Sequence, residues 1–129
     1  MVPTIVPVYA AIFALMLVAL SLRVANTRRE MRVALGDDGK KLLQRRIRAQ
    51  GNFTEYVPMA LILLLFIEWQ GWPRWLVHAL CLVLLGARAL HAYGVSQEPE
   101  DIRLRATGMA TTAGILVLTA LLLLFNAIR

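Results

Sequence analysis

The sequence predicts an all-α fold, a bundle of four membrane-spanning helices in one domain of 129 residues. Three observations carry that prediction. Hydrophobic residues make up 59% of the chain and charged residues only 17%, against about 45–50% and about 25% in water-soluble domains. Apolar stretches recur four times, at about 2–22, 52–69, 74–93 and 106–128. The net charge of +6 is gathered between these stretches, a distribution that orients membrane proteins and gives no reason to expect nucleic acid as a partner. The length leaves no room for a second core. Repeats and low-complexity tracts are absent, and the single Cys81 can form no internal disulfide.

The stretch 2–22 contains no ionisable acid or base except the phenol of Tyr9. As a helix it is roughly 30 Å long, enough to cross a hydrocarbon core. It lacks the basic leader and short apolar run of a cleaved signal peptide, so it is read as a retained span. The stretch 106–128 is equally clean. The two middle stretches are shorter and less pure. Val57 to Ile67 is wholly apolar but flanked by Glu55 and Glu68, and the third stretch carries His78, Arg88 and His91. Between two clear spans they read as spans whose inner ends are polar and buried against protein. Pro58 lacks an N–H, so the second helix is expected to bend there.

Trp69, Trp72 and Trp75 surround the short link Gln70-Gly71-Trp72-Pro73, an aromatic belt at one membrane surface that makes helices two and three antiparallel neighbours. The first connection, from Arg23 to Arg48, holds nine Lys or Arg and three acids. The third, from about Gly94 to Arg105, mixes Glu98, Glu100 and Asp101 with Arg103 and Arg105. The excess of positive charge assigns the first and third connections to the cytoplasm and both termini to the outside. Anionic lipid headgroups are natural partners for the first.

One segment carries polar chemistry into the membrane edge. Read as helix, Arg48, Asn52, Glu55 and Tyr56 fall at i, i+4, i+7 and i+8, which is one face. Ionisable groups at that depth are costly unless paired and by default suggest a functional site. Arginine offers a forked donor to a carboxylate, glutamate can hold an ammonium, asparagine both donates and accepts, and tyrosine adds a hydroxyl. Such a face suits a small zwitterion with a peptide-like backbone. It suits equally well a structural role, satisfying other helices inside the bundle.

The run Arg48-Ala49-Gln50-x-Asn52-x-x-Glu55-Tyr56-x-Pro58 resembles the second-helix motif of the MAPEG family, the membrane-associated proteins in eicosanoid and glutathione metabolism. Asn26 to Val33 is similar to the basic end of that family's first helix. Ala87-Arg88-x-x-His91 is similar to the end of the third helix in its microsomal glutathione transferases. Arg105, or Arg103 two residues away, takes the place of an arginine opening the fourth. The resemblance spans nearly the whole chain. It implies a homotrimer in a bacterial inner membrane, with glutathione as co-substrate between neighbouring subunits near the cytoplasmic surface, and no metal. It assigns glutathione to Arg48, Asn52, Glu55 and Tyr56, with Arg28, Arg88 and His91. It implies conjugation of glutathione to hydrophobic electrophiles or reduction of lipid hydroperoxides. His91 and Val95 stand where leukotriene synthases have tyrosines, and Gly36-Asp37-Asp38-Gly39 is a polar turn of bacterial type; both differences point away from eicosanoids.

A transferase of this kind must present sulfur as thiolate. With an ordinary thiol pKa of about 8.5, only about 3% is ionised at pH 7. The resemblance assigns thiolate activation to Arg105, with Arg29 as the alternative. His91 is a weaker candidate because its charge depends on pH. Elsewhere, His78 reads as an interfacial side chain, Cys81 as a buried and inert thiol, and the two histidines with one cysteine make no metal site. Gly108 and Gly114 are expected to allow close helix packing. Two rival classes share the architecture: a small multidrug transporter, which needs a titratable carboxylate deep in its first span where this chain has none, and a non-catalytic membrane subunit.

Overall fold

The computed structural model describes residues 2–128. Among them every regular element is an α-helix: α1 (Val6–Met31), α2 (Lys41–Trp69), α3 (Arg74–Ser96) and α4 (Ile102–Ile128). All four are long and apolar enough to cross a membrane. The shortest, α3 with 23 residues, is about 35 Å long at 1.5 Å per residue.

The helices run well past the apolar stretches. Most of the basic first connection is helical, and only residues 32–40 lie between α1 and α2. The reason is that helical hydrogen bonds are local and do not stop at a membrane surface. The segment Lys41-Leu42-Leu43-Gln44-Arg45-Arg46-Ile47-Arg48 is built from good helix formers, and Leu43 and Ile47 recur four residues apart. They close a small second core with Val24, Val33 and Met31, while Arg46 turns back to donate to the Thr27 hydroxyl of α1 and Arg48 stays exposed. At the end of α1, Arg32 is left-handed (φ 56) and its N–H bonds the Arg29 carbonyl at 3.2 Å. The turn then closes through Gly36, Asp38 and Gly39, all at positive φ, and the Arg28 guanidinium donates to the Gly36 carbonyl at 2.6 Å. Helix α2 continues without a break through Pro58.

One apolar core holds the bundle. Phe13 of α1 meets Phe53 of α2 with ring centroids 6.0 Å apart. Val57, Ala60, Leu64 and Ile67 of α2, Val77, Cys81 and Leu84 of α3, and Ile115 of α4 extend it. Facing outward are Val8, Ile12, Leu15, Val18 and Leu22 on α1 and Val117, Leu121, Leu124 and Phe125 on α4. A soluble protein would not leave such stripes bare; in lipid they are the natural exterior.

Two glycines set how closely α3 and α4 approach. A Cβ on Gly108 would stand 2.5 Å from the Ala87 carbonyl and 2.8 Å from the His91 Cβ. One on Gly94 would stand 2.7 Å from the Arg105 nitrogen. Gly114, expected to share this role, faces open space within the chain, because it lies off the line where the helices cross.

At the opposite end of the bundle, Glu68 reaches the start of α1. Its carboxylate accepts the N–H groups of Thr4 at 2.6 Å, Ile5 at 2.7 Å and Val6 at 2.8 Å. These are amides that no helical carbonyl can reach. Nearby, the Tyr9 hydroxyl and His78 Nδ1 are 3.2 Å apart. The indole of Trp72 leans 3.4 Å from Gln70 Oε1, which also accepts from Asn126 of α4 at 2.8 Å, tying the second link to the end of the chain.

Candidate functional site

The polar residues of α2 and the ends of α3 and α4 converge at the end of the bundle remote from Glu68. Two layers are distinct. The outer layer is a cleft of about 350 Å³ lined by Lys41, Gln44, Arg45 and Arg48 of α2, Val95 of α3, Glu100 of the last connection, and Arg105 of α4. Small-molecule sites run to roughly 300–1,000 Å³, so the cleft can hold a compact ligand. Four cationic side chains face one carboxylate across it. Glu100 lies 2.5 Å from the Arg105 guanidinium and 3.9 Å from that of Arg45, and Arg45 also donates to the Gln97 carbonyl at 2.9 Å. Asp101 fixes the geometry: its Oδ1 accepts the N–H groups of Arg103 and Leu104 at 3.1 Å, an N-cap that starts α4 with Arg105 over the cleft.

On the rim, Arg48 and Glu55 meet at 3.1 Å, both about half exposed. Two helical turns separate them, so the pair runs along the outer side of α2, with Tyr56 half-buried beside it. An exposed pair of this kind contributes little to stability. A guanidinium and a carboxylate held together at a surface can instead exchange each other for the two ends of a zwitterion.

The inner layer lies one turn beneath. Asn52 is four residues after Arg48, and His91 is four residues before Val95. Between them Arg88 is fully enclosed. Its Nη2 donates to Asn52 Oδ1 at 2.6 Å and lies 3.3 Å from His91 Nδ1, while Nη1 is 3.4 Å from Thr112 Oγ1. The guanidinium also sits 6.0 Å from the Phe53 ring centroid, within reach of a cation–π contact. Gly108 makes this layer possible by letting α4 close on Ala87 and His91, which delivers Thr112 to Arg88.

Of the residues expected to hold glutathione, Arg48 lines the cleft beside Arg105, the expected thiolate-activating group. Glu55 joins Arg48, while Asn52 and His91 are buried beneath the lining and meet through the enclosed Arg88. Arg28 and Arg29 sit elsewhere, in a hollow at the end of α1 with Arg32, Val33 and Ala34. Arg103 belongs to another hollow, with Pro99 and Asp101. Sequence reasoning passed over Lys41, Gln44, Arg45 and Glu100. The mixed signs of the third connection were the available signal for Glu100; the cleft-lining role of Arg45 depends on α2 beginning ahead of the membrane.

The sequence profile of the MAPEG family matches residues 6–125. The chain belongs to the MAPEG family. The match takes in the motif on α2, the Arg88–His91 segment of α3 and the start of α4, the three parts that build the two layers. Similar proteins include the inner membrane protein YecN of Escherichia coli strain K12 and that of Escherichia coli O6:H1. Each is 42% identical over 113 residues, spanning 88% of this chain and 85% of the relative. As a MAPEG protein with four helices of spanning length, the chain is a multi-pass membrane protein.

Proposed function

We propose that this MAPEG protein is a glutathione-dependent enzyme of the inner membrane. Its glutathione thiolate would attack a hydrophobic electrophile, displacing a leaving group, or two glutathiones would reduce a lipid hydroperoxide to alcohol and water with formation of the disulfide. The observation that carries this reading is the convergence of the Arg48–Glu55 pair and Arg105 on one cation-rich cleft. Glutathione at neutral pH has two carboxylates, one ammonium and a thiol. Arginine forks match its carboxylates and Glu55 matches its ammonium. The apolar exterior beside the cleft gives the second substrate a route in from the lipid. Detergent-solubilised protein should bind glutathione in calorimetric titration and conjugate it to at least one of a panel of hydrophobic electrophiles. Binding without turnover would identify a non-catalytic subunit, and neither would remove the reading.

The protein works as a homotrimer in this proposal. Arg28 and Arg29 do not line their own chain's cleft, so they serve glutathione by reaching a neighbouring copy. Arg105 is the thiolate-activating group, because of Arg105, Arg103 and Arg29 it alone lines the cleft with Arg48. A guanidinium beside sulfur favours the charged form. Glu100 already engages Arg105, which reduces the field left for sulfur. Arg105→Leu is therefore expected to raise the pKa of bound thiol by about one unit, worth about 1.4 kcal/mol, read as thiolate absorbance against pH. An unchanged thiol pKa in Arg105→Leu, with a rise in Arg29→Leu or Arg103→Leu, would transfer the role.

Both termini face away from the cytoplasm in this proposal, since the connections at 32–40 and 97–101 and the helix ends beside them carry the basic charge. A periplasm-dependent reporter fused after Arg129 should be active, and a fluorescent protein that matures only in the cytoplasm should stay dark. The reverse pattern would invert the topology.

A further inference from the structure

A guanidinium has five N–H donors and no acceptor. Whatever faces Arg88 at hydrogen-bond distance must therefore accept. That single fact fixes two neighbouring side chains. The Asn52 atom 2.6 Å from Nη2 is the amide oxygen, so the amide nitrogen is turned the other way, with only Met109 Sδ at 3.8 Å to receive it. A thioether is a weak acceptor, and this leaves the Asn52 N–H groups available. The His91 nitrogen 3.3 Å from Nη2 is Nδ1. It must carry a lone pair, which puts the ring hydrogen on Nε2.

The surroundings lock this arrangement. Arg88 is fully enclosed, and among the described residues no carboxylate pairs with it. Its Nε has no partner there either. Phe53 closes one side and Thr112, held to the Gly108 carbonyl at 2.8 Å, closes another. An enclosed cation without a counter-ion makes the most of every neutral acceptor it has, because each one is hard to replace.

We propose that Arg88 is a positioning residue which turns Asn52 and His91, each one helical turn beneath a cleft-lining residue (Arg48 and Val95), into paired N–H donors, so that this corner of the site selects an acceptor-rich group, a carboxylate or a peptide carbonyl. The part of the proposal that concerns ligand rests on the glutathione reading above. The donor geometry does not.

The test has two arms. The first needs no ligand: nitrogen-15 histidine spectra of detergent-solubilised protein report the tautomer of each ring, and His78→Gln assigns the only other histidine. His91 should show hydrogen on Nε2, and Arg88→Met should populate the Nδ1 form. Hydrogen on Nδ1 in the unaltered protein overturns the proposal without any variant. The second arm is a double-mutant cycle for glutathione affinity. Arg88→Met should cost about 10-fold with Asn52 present, and less than about 3-fold in an Asn52→Ala background. Equal costs in both backgrounds would make Arg88 merely structural. Should Arg88→Met fail to fold, Asn52→Asp keeps an acceptor for Arg88 but cannot donate; folding should persist while affinity falls about 10-fold, and unchanged affinity overturns the proposal. If the unaltered protein binds no glutathione yet His91 carries its hydrogen on Nε2, the positioning role stands and the glutathione reading falls.

Discussion

Arg48→Ala and Glu55→Gln should each weaken glutathione binding by about 10- to 100-fold, as expected when a charge-assisted contact worth about 1.5–3 kcal/mol is removed. The structure narrows the range. Arg48 and Glu55 pair with each other at 3.1 Å in the free protein, so each gives up one partner to take another on binding, and the net loss belongs toward the lower end. The double variant should lose less than the two single losses combined, since groups in direct contact are coupled. Stability should hardly change, because both side chains are about half exposed and such pairs are worth at most about 1 kcal/mol. Titration calorimetry on protein that keeps its elution volume checks all three statements. Full affinity in both single variants would make the pair a surface ornament and move the binding site elsewhere.

Glu68→Ala should be the most destabilising of the polar substitutions that leave glutathione binding alone. The carboxylate accepts three backbone N–H groups, and Glu68, Ile5 and Val6 are all buried. Truncation leaves at least two enclosed donors without a partner, at about 1–3 kcal/mol each, for a total of roughly 3 kcal/mol. Glu68→Gln keeps Oε1, which serves Thr4 and Ile5, but sets an amide against the Val6 N–H; about half the loss is expected. Thermal unfolding in detergent should rank the three proteins in that order. Glu68 lies 13 residues from Glu55 on one helix, about 20 Å away, so glutathione affinity of the folded fraction should be unchanged. A Glu68→Ala protein as stable as the parent would show that water replaces the carboxylate.

Much of this molecule was legible in the chain itself. The four spans follow from runs without charge, and the motif face of α2 follows from spacing, because a helix places i, i+4, i+7 and i+8 together whatever surrounds it. Features that depend on how helices meet were not legible. Hydropathy reports contact with lipid, so it marked the membrane part of α1 and α2 and missed the turns beyond it, where Lys41 and Arg45 help line the cleft. Glu68 read only as a charged flank of the second span, because nothing in sequence places the start of α1 opposite the end of α2. Gly94 and Gly114 are identical as letters; only the crossing of α3 and α4 distinguishes a glycine that admits a neighbour from one that faces open space. Arg88 read as a ligand contact because enclosure by Thr112 and Phe53 is a property of three helices at once.

The Glu68 clasp also has a bearing on how the chain is made. Its donors and its acceptor are 62 to 64 residues apart. Synthesis at about 5–20 residues per second delivers the carboxylate roughly 3–13 s after the amides it serves. During that interval the first helix has a start that only water can satisfy, and it cannot settle deeper than water reaches. Arrival of Glu68 removes that restriction and joins the first helix to the second before the third is complete. The earliest unit of assembly is thus a two-helix hairpin closed at its far end.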